Sequence, residues 1–494
     1  MKSTVNPMRQ TAAAAVALIC AVEIAHAACG ADLVGGGRLG VGMECLDRDL
    51  WNPFPAIPHL KELGIRKVRL QTGWARTEKE KGRYDFAWLD AVVDALSGIG
   101  VTPWMSLSYG NPLYAVPEEG KQDYTGQKMF PMRSDEGKAA WAAYVTAVVR
   151  RYGDRVHEWE IWNEPDVRAF LKVPEGSTWA REYARLVRFT SRVIREAQPS
   201  AVVAACTAGG PGSSGTAALF AEDIADSIDV YSFHAYTPVP EQMTPAVGKA
   251  FYAAVRKRAP NVRFWRGEAG ISSVRSGFGA LSELPLSEDM QARWMGRHLV
   301  RDLADPDISF TSWFHLSAFK HFSHARTYHY GVLREKDYSR KPSYYVLKRI
   351  KDFLDDGLVS PDPSVCLMFK PNRDGSAEEQ ARVVGSASYG FRRNGFPMFA
   401  LTATWPAREE MPPVRATARM FTGDAGACWR DPVVLDIASG EVSRLQSGSA
   451  AVTVEIANHV KILTEAAALA PHVSLAPREA VPAKSVSAGQ ADHE

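Results

Sequence analysis

The 494-residue chain predicts a (β/α)8 barrel followed by a small β-sandwich, on three observations. Short β-rich runs alternate with longer amphipathic stretches, and eight such pairs fit within roughly 320 residues, inside the size range of a closed parallel barrel. No Gly-x-Gly-x-x-Gly string opens the series, which argues against a doubly wound dinucleotide fold. From about Pro361 the texture changes to short β-like runs separated by turn-rich segments such as Asn394-Gly395.

The elements follow in order. Lys2 and Arg9 precede an apolar stretch at 11–22, and Ala25-His26-Ala27 offers small residues for cleavage before Ala28, so residues 1–27 read as a signal peptide of a secreted or periplasmic protein. The stretch is too short to span a bilayer. Strands are expected at 37–43, 67–71, 101–108, 156–162, 201–206, 228–234, 262–267 and 308–314. Helices are expected at 57–63, 88–97, 137–152, 178–197, 216–226, 245–258, 287–303 and 342–353. Residues 28–358 form the barrel on this reading. Residues 359–468 form the sandwich, with strands at 381–388, 398–404, 433–437 and 452–456, and the Ala-, Pro- and Ser-rich residues 469–494 are a disordered tail.

Composition removes several function classes. A hydrophobic content of 46% with 23% charged residues is that of a soluble globular protein, and a net charge of +2 gives no basis for a nucleic-acid surface. Cleavage of the leader leaves five cysteines: Cys29 with Cys45 and Cys366 with Cys428 are plausible disulfides in an oxidising compartment. Cys206, after an apolar run, reads as a buried unreactive thiol. His315, His321, His324 and His329 crowd the region after the eighth strand but lack acidic or cysteine company, so no metal is expected. The loop Gly209-Gly210-Pro211-Gly212-Ser213-Ser214-Gly215 lacks the Gly-Lys-Ser/Thr ending of a phosphate cradle, and no cofactor is expected.

Active sites of (β/α)8 barrels sit at the carboxyl ends of the strands, where this chain concentrates polar groups. Arg69 lies on the second strand, Tyr109 and Asn111 follow the third, Asn163 and Glu164 follow the fourth, His234 and Tyr236 end the sixth, and Glu268 ends the seventh. The run His157-Glu158-Trp159-Glu160-Ile161-Trp162-Asn163-Glu164-Pro165-Asp166 is the most informative, because an apolar strand delivers an Asn-Glu pair into a proline-broken turn beside aromatic rings. A carboxylic acid beside apolar surface keeps its proton to higher pH, and an amide can bind a sugar hydroxyl. Glu160 is a competing carboxylate, but inside the strand it reads as a buried, hydrogen-bonded group. Trp74, Trp104, Trp265 and Trp313 stand near strand ends as candidates for stacking on sugar rings.

Residues 36–354 resemble a clan A glycoside hydrolase, most closely family 39. The likeness is carried by Leu63-Gly64-Ile65-Arg66-Lys67-Val68-Arg69, Gly82-Arg83-Tyr84-Asp85-Phe86, Tyr109-Gly110-Asn111-Pro112-Leu113-Tyr114, Asn163-Glu164-Pro165, Phe233-His234-Ala235-Tyr236 and Arg266-Gly267-Glu268, with Tyr330-Gly331-Val332-Leu333 near the barrel's end. Ala269-Gly270-Ile271 after Glu268 departs from the family pattern, in which an aromatic residue is frequent. The resemblance implies retaining hydrolysis of a β-linked glycoside, with Glu164 as general acid/base and Glu268 as nucleophile. Strands four and seven face each other across an eight-stranded barrel, so the two carboxyls can meet over its axis. Tyr236 is then placed to hydrogen-bond Glu268, Arg69 to supply a positive field, Asn163 to bind the 2-hydroxyl, and His234 to fix a sugar or Glu164. By analogy the substrate is a bacterial extracellular or envelope polysaccharide cut internally, with exo-acting β-xylosidase-like cleavage or a catalytically silent polysaccharide-binding protein as the alternatives.

Overall fold

The computed structural model describes residues 37–473 and 475, apart from 116–128, 243–244, 278, 285–286, 322–325, 372–373, 405–411, 422–427 and 447. The expected leader and most of the expected tail lie outside the described residues. Eight parallel strands close into a barrel in the predicted order: β1 (Leu39–Gly42), β2 (Lys67–Gln71), β3 (Thr102–Leu107), β4 (Glu158–Ile161), β5 (Val202–Thr207), β6 (Val230–Phe233), β7 (Arg263–Ala269) and β8 (Ile308–Trp313). Their almost continuous burial reflects a sheet covered on both faces.

The barrel's helices are α1 (Ile57–Leu63), α2 (Trp74–Thr77), α3 (Ala87–Ser97), α4 (Asp135–Tyr152), α5 (Trp179–Ala197), α6 (Ser214–Phe220), α7 (Pro245–Arg258), α8 (Glu288–Ala304) and α9 (Pro342–Leu354). Ser134, Thr178, Ser213 and Ser287 cap α4, α5, α6 and α8, each hydroxyl accepting a backbone N–H three residues on. The expected helix at 216–226 stops at Phe220, and three residues later Asp223 turns left-handed (φ 56°). Below the rim the barrel is filled by Trp104, Trp265 and Phe310 packed with Ala204 and Val230. Gly40 is required there, since a Cβ would sit 2.4 Å from the Phe310 ring.

A hairpin of β9 (Phe319–His321) and β10 (Arg326–Tyr328) follows β8. Beyond α9 come β11 (Val359–Pro361), β12 (Cys366–Pro371), helix α10 (Ala377–Val384), β13 (Ser386–Arg393), β14 (Phe396–Ala403), β15 (Val414–Phe421), β16 (Pro432–Asp436), β17 (Val442–Arg444), β18 (Ala451–Ile456) and β19 (Lys461–Glu465). They make a six-stranded sheet, β11-β13-β14-β19-β16-β17, and a three-stranded one, β12-β15-β18. The strand expected at 381–388 is a correction: residues 377–384 are helical, started by a capping box between Ser376 and Glu379, and β13 begins only at Ser386. The Cys366–Cys428 disulfide is also not formed. Cys366, on β12 opposite Phe421, and Cys428 are both exposed and not bridged, while Cys45 is buried and its expected partner Cys29 lies outside the described residues.

The sandwich is fastened to the barrel by two arginines. Arg349 on α9 donates to the carbonyls of Ile437, Ala438 and Ser439, and Arg393 on β13 pairs with Asp356 at 2.6 Å while donating to Phe353 O. A second buried ion system braces β7. Asp302 on α8 accepts from Arg266 Nε at 2.7 Å, Thr311 Oγ1 at 2.9 Å and Arg301 Nη1 at 2.9 Å, tying β7, β8 and α8 together. Burial opposes ionisation of Asp302, but Arg266, His298 and Arg301 hold its carboxyl well below the usual range. Asp302→Ala strands a buried guanidinium and is expected to cost about 3–5 kcal/mol at pH 7. Denaturant unfolding checks this, and a loss under about 1 kcal/mol would show that the pair does not brace the strand.

Candidate active site

β2 points Arg69 into the barrel mouth, where the guanidinium is fully buried and meets three carboxylates. Nε donates to Glu160 Oε1 at 3.1 Å and Nη2 to the same oxygen; Nη2 also donates to Asn163 Oδ1 at 2.8 Å. Nη1 donates to Glu268 Oε2 at 2.9 Å and to Glu44 Oε1 at 3.2 Å. The strands β2, β4 and β7 and the end of β1 are therefore joined through one side chain.

The two predicted acids face one another at this rim. Beyond β4 the chain takes left-handed backbone at Trp162 (φ 68°) and at Glu164 (φ 46°), which precedes Pro165. Such conformations persist only where the surroundings over-determine them, and they cluster at functional sites. Here Trp162 N bonds Leu107 O, Trp162 Nε1 bonds Phe170 O, and the Tyr183 hydroxyl bonds Ile161 O at 2.6 Å. Across the barrel, Arg266 and Ala269 of β7 pair with Thr311 and Trp313 of β8, so β7 carries one extra residue between them. This bulge re-aims the carboxyl of Glu268 toward the mouth. Glu268 accepts from Tyr236 Oη at 2.6 Å on Oε1 and from Arg69 on Oε2, and His234 Nδ1 stands 2.6 Å from Glu164 Oε1 and 3.6 Å from Glu268 Oε2. One ligand atom from each of Glu164, His234 and Glu268 lies within 4.8 Å of the others. The side chains of Glu164 and Glu268 are 15% and 13% exposed, whereas His234 is closed off.

A cluster that tight could contact one ion; with both Glu268 oxygens hydrogen-bonded and one Glu164 oxygen shared with His234, the arrangement is also suited to acid–base chemistry. His315 is buried, with Nδ1 at 2.8 Å from Ser317 O and Nε2 at 3.3 Å from Glu44 O, and burial pushes the ring down to about 4. His324 lies outside the described residues. Burial and the neighbouring Glu268 hold the Tyr236 hydroxyl well above the usual phenol range, so it stays a donor.

Several sequence candidates are placed elsewhere. Trp74, Trp104, Trp265 and Trp313 are fully buried and present no face to a ligand. Trp74 stacks between Tyr114 and Tyr144 and bonds Glu78; Trp104 and Trp265 fill the barrel interior; Trp313 donates to Tyr330 O. Strand-end tryptophans here supply the core volume that a barrel mouth needs. Asn111 is a backbone clamp, its Oδ1 capping Leu113 N at 2.9 Å and its Nδ2 bonding Glu78 O at 2.8 Å. Tyr109, 1% exposed, steadies Asn163 by accepting Nδ2–H at 2.9 Å. Three residues went unread. Glu44 lies one position past the expected first strand, where the strand-end rule would have found it, whereas Trp51, in a loop, and Tyr328, at the end of β10, are half-buried around Phe314 and Phe319 and carry no motif.

Glu44 is the unusual carboxyl. Burial and the nearby Glu268 push it up to about 8 against the pull of Arg69, and its Oε2 has no hydrogen-bond partner among the described residues. A carboxyl raised from an ordinary 4.5 to about 8 takes up a proton on folding, so its contribution to stability is complete at low pH and is lost as pH rises through 8. Glu44→Gln is therefore expected to gain stability relative to the parent between pH 5 and pH 9. Denaturant midpoints at the two pH values measure the change, and a constant difference would mean that Glu44 is ionised throughout.

The model for "Glycosyl hydrolases family 39" matches residues 58–261. Over 230 residues the chain is 26% identical to a β-xylosidase from Geobacillus stearothermophilus, covering 41% of this chain and 42% of that protein. Over 146 residues it is 30% identical to β-galactosidase BgaA from Clostridium cellulovorans, covering 26% and 22%. The chain thus spans less than half the length of either relative. In fold it is similar to a family 39 glycoside hydrolase from Bacteroides cellulosilyticus, with a TM-score of 0.63 at 17% identity over 87% of this chain and 80% of that one. A family 39 β-xylosidase from Caulobacter crescentus superposes with a TM-score of 0.51 at 14% identity, covering 88% of this chain and 98% of that one. The family match over residues 58–261 and these relatives make the chain similar to family 39 glycoside hydrolases of clan A, and the closed eight-stranded barrel is the fold of those solved structures.

Proposed function

We propose that the chain hydrolyses β-linked glycosides with retention of configuration, and the observation that carries this is the closeness of two carboxyls, Glu164 and Glu268, within 4.8 Å at the barrel mouth. Retaining enzymes hold their pair about 5–5.5 Å apart, whereas inverting ones leave about 6.5–9.5 Å for a water. Glu268, ionised and oriented by Arg69 and Tyr236, attacks the anomeric carbon, and Glu164 gives its proton to the leaving oxygen. Water then enters, Glu164 takes a proton from it, and the glycosyl ester on Glu268 is cleaved. Asn163 has one Nδ2 hydrogen committed to Tyr109 and a second available for the 2-hydroxyl. Trp51, Tyr236 and Tyr328 take the place of the buried tryptophans as sugar-facing surfaces.

The finer reading is internal cleavage of an extracellular or envelope polysaccharide by a secreted or periplasmic protein. It is supported by the leader-like N-terminus and by the family resemblance. The β-xylosidases among the relatives favour exo cleavage as the second reading.

Product release from a panel of β-glycans and aryl β-glycosides tests the mechanism. Glu268→Gln is expected to lose activity by on the order of 10⁴-fold or more. Glu164→Gln should lose roughly 10²–10⁴-fold on natural linkages while retaining cleavage of aryl glycosides whose leaving group needs no proton. Equal release by the parent and Glu164→Gln would remove Glu164 from the mechanism, and no release by the parent would point to a binding or assembly role. On a polymeric substrate, internal cleavage predicts a fall in viscosity before monosaccharide accumulates; monosaccharide from the first time point would establish exo action.

A further inference from the structure

Cys206, on β5, is fully buried, and its Sγ lies 3.3 Å from His234 Nε2. The opposite edge of the same ring faces both acids, with Nδ1 2.6 Å from Glu164 Oε1 and 3.6 Å from Glu268 Oε2. We propose that Cys206 is a positioning residue for Glu164 and acts through His234, an inference that rests on the retaining glycosidase reading.

The argument follows the charge through the cycle. Before attack the negative charge of the pair is on Glu268; after the leaving group has taken its proton, it is on Glu164. The Nδ1–H of His234 hydrogen-bonds Glu164, and the ring stands within ion-pair distance of Glu268, so it feels the charge on either carboxyl. To do so the ring must keep its orientation while its protonation responds to the moving charge, and a buried Nε2 needs a partner both with and without a hydrogen. A thiol meets that need: S–H donates to a bare Nε2, and the sulfur accepts from Nε2–H. Burial pushes the Cys206 thiol up, so it stays protonated and chemically inert.

The surroundings leave the ring to these partners. Burial works against a charged His234, yet the carboxylates of Glu268 and Glu164 and the hydrogen bond to Cys206 hold it above the ordinary imidazole range. Glu160 of β4 and Arg69 of β2 also act on Cys206, and they are bound to each other. Tyr183 of α5 accepts the backbone N–H of Cys206, and Arg266 of β7 donates to the backbone carbonyls of His234 and Ala235. Tyr236, two residues on, is committed to Glu268.

Cys206→Val and Cys206→Ser test the assignment. Valine keeps the bulk but cannot accept Nε2–H, so a charged ring loses a partner and the neutral ring is favoured; His234 is expected to titrate lower by roughly one pH unit. Less support for ionised Glu164 moves the alkaline limb of kcat/KM upward. It also slows the second step, so on an activated aryl glycoside kcat falls about tenfold and KM falls with it. Serine, which both donates and accepts, returns both readouts toward the parent. A loss of Tm and kcat with the alkaline limb unmoved, or equal behaviour of the Val and Ser variants, would make Cys206 a packing residue and overturn the proposal. Histidine-selective ¹⁵N NMR, with His234 assigned by its absence in His234→Asn, reads the ring without any substrate. An unchanged ring titration in Cys206→Val overturns the proposal even in an active enzyme. A shifted titration restored by Ser, in a parent that hydrolyses nothing, upholds the placement of the ring and sinks the glycosidase reading instead.

Discussion

One buried guanidinium holds the mouth of this barrel together. Arg69 donates to Glu160, Glu268, Glu44 and Asn163, which belong to three other strands or their ends. Arginine suits the place because its planar fork presents several fixed donors and stays charged when desolvated. The arrangement is costly by itself, since three carboxyls around one cation cannot all be ionised in a closed interior at neutral pH. The structure resolves this unevenly: Glu44, the carboxyl that holds a proton to about 8, takes one Arg69 donor at 3.2 Å, while Glu160 takes two donors and Glu268 one at 2.9 Å.

The acids themselves are aimed by departures from regular backbone. Glu164 stands on left-handed residues after β4, and Glu268 on a bulge in β7, so neither carboxyl lies where an ideal strand would put it. Both departures are held by buried partners: the Tyr183 and Leu107 contacts on one side, and the Asp302 system behind Arg266 on the other. Helix α8 therefore braces the barrel mouth from the outside of the barrel.

Much of this site was legible from strand-end residues. Arg69, Asn163, Glu164, His234, Tyr236 and Glu268 were each assigned to the rim, and the structure brings all six together there: Arg69, Asn163, Glu268 and Tyr236 are hydrogen-bonded to one another, and the bonded pair His234–Glu164 stands 3.6 Å from Glu268. The tryptophans misled because an indole at a strand end has the same local signature whether it faces a groove or fills the core. Asn111 and Tyr109 were read as ligand-binding, but their polar atoms are used by Leu113, Glu78 and Asn163. In the sandwich, a β-like run at 381–388 hid a helix whose capping box, Ser376 with Glu379, was the better signal.

By itself the sequence determined the alternation that closes a parallel barrel, the change to a β-rich second unit, and which acids stand at the ends of the fourth and seventh strands, because periodicity and chain order are local properties. Tertiary structure alone decided that Glu44 shares the guanidinium, that Cys206 meets the far edge of His234, and that the strand-end indoles are core. Those outcomes depend on burial and on contacts between residues tens to hundreds of positions apart, and no local pattern encodes how much water a side chain will keep.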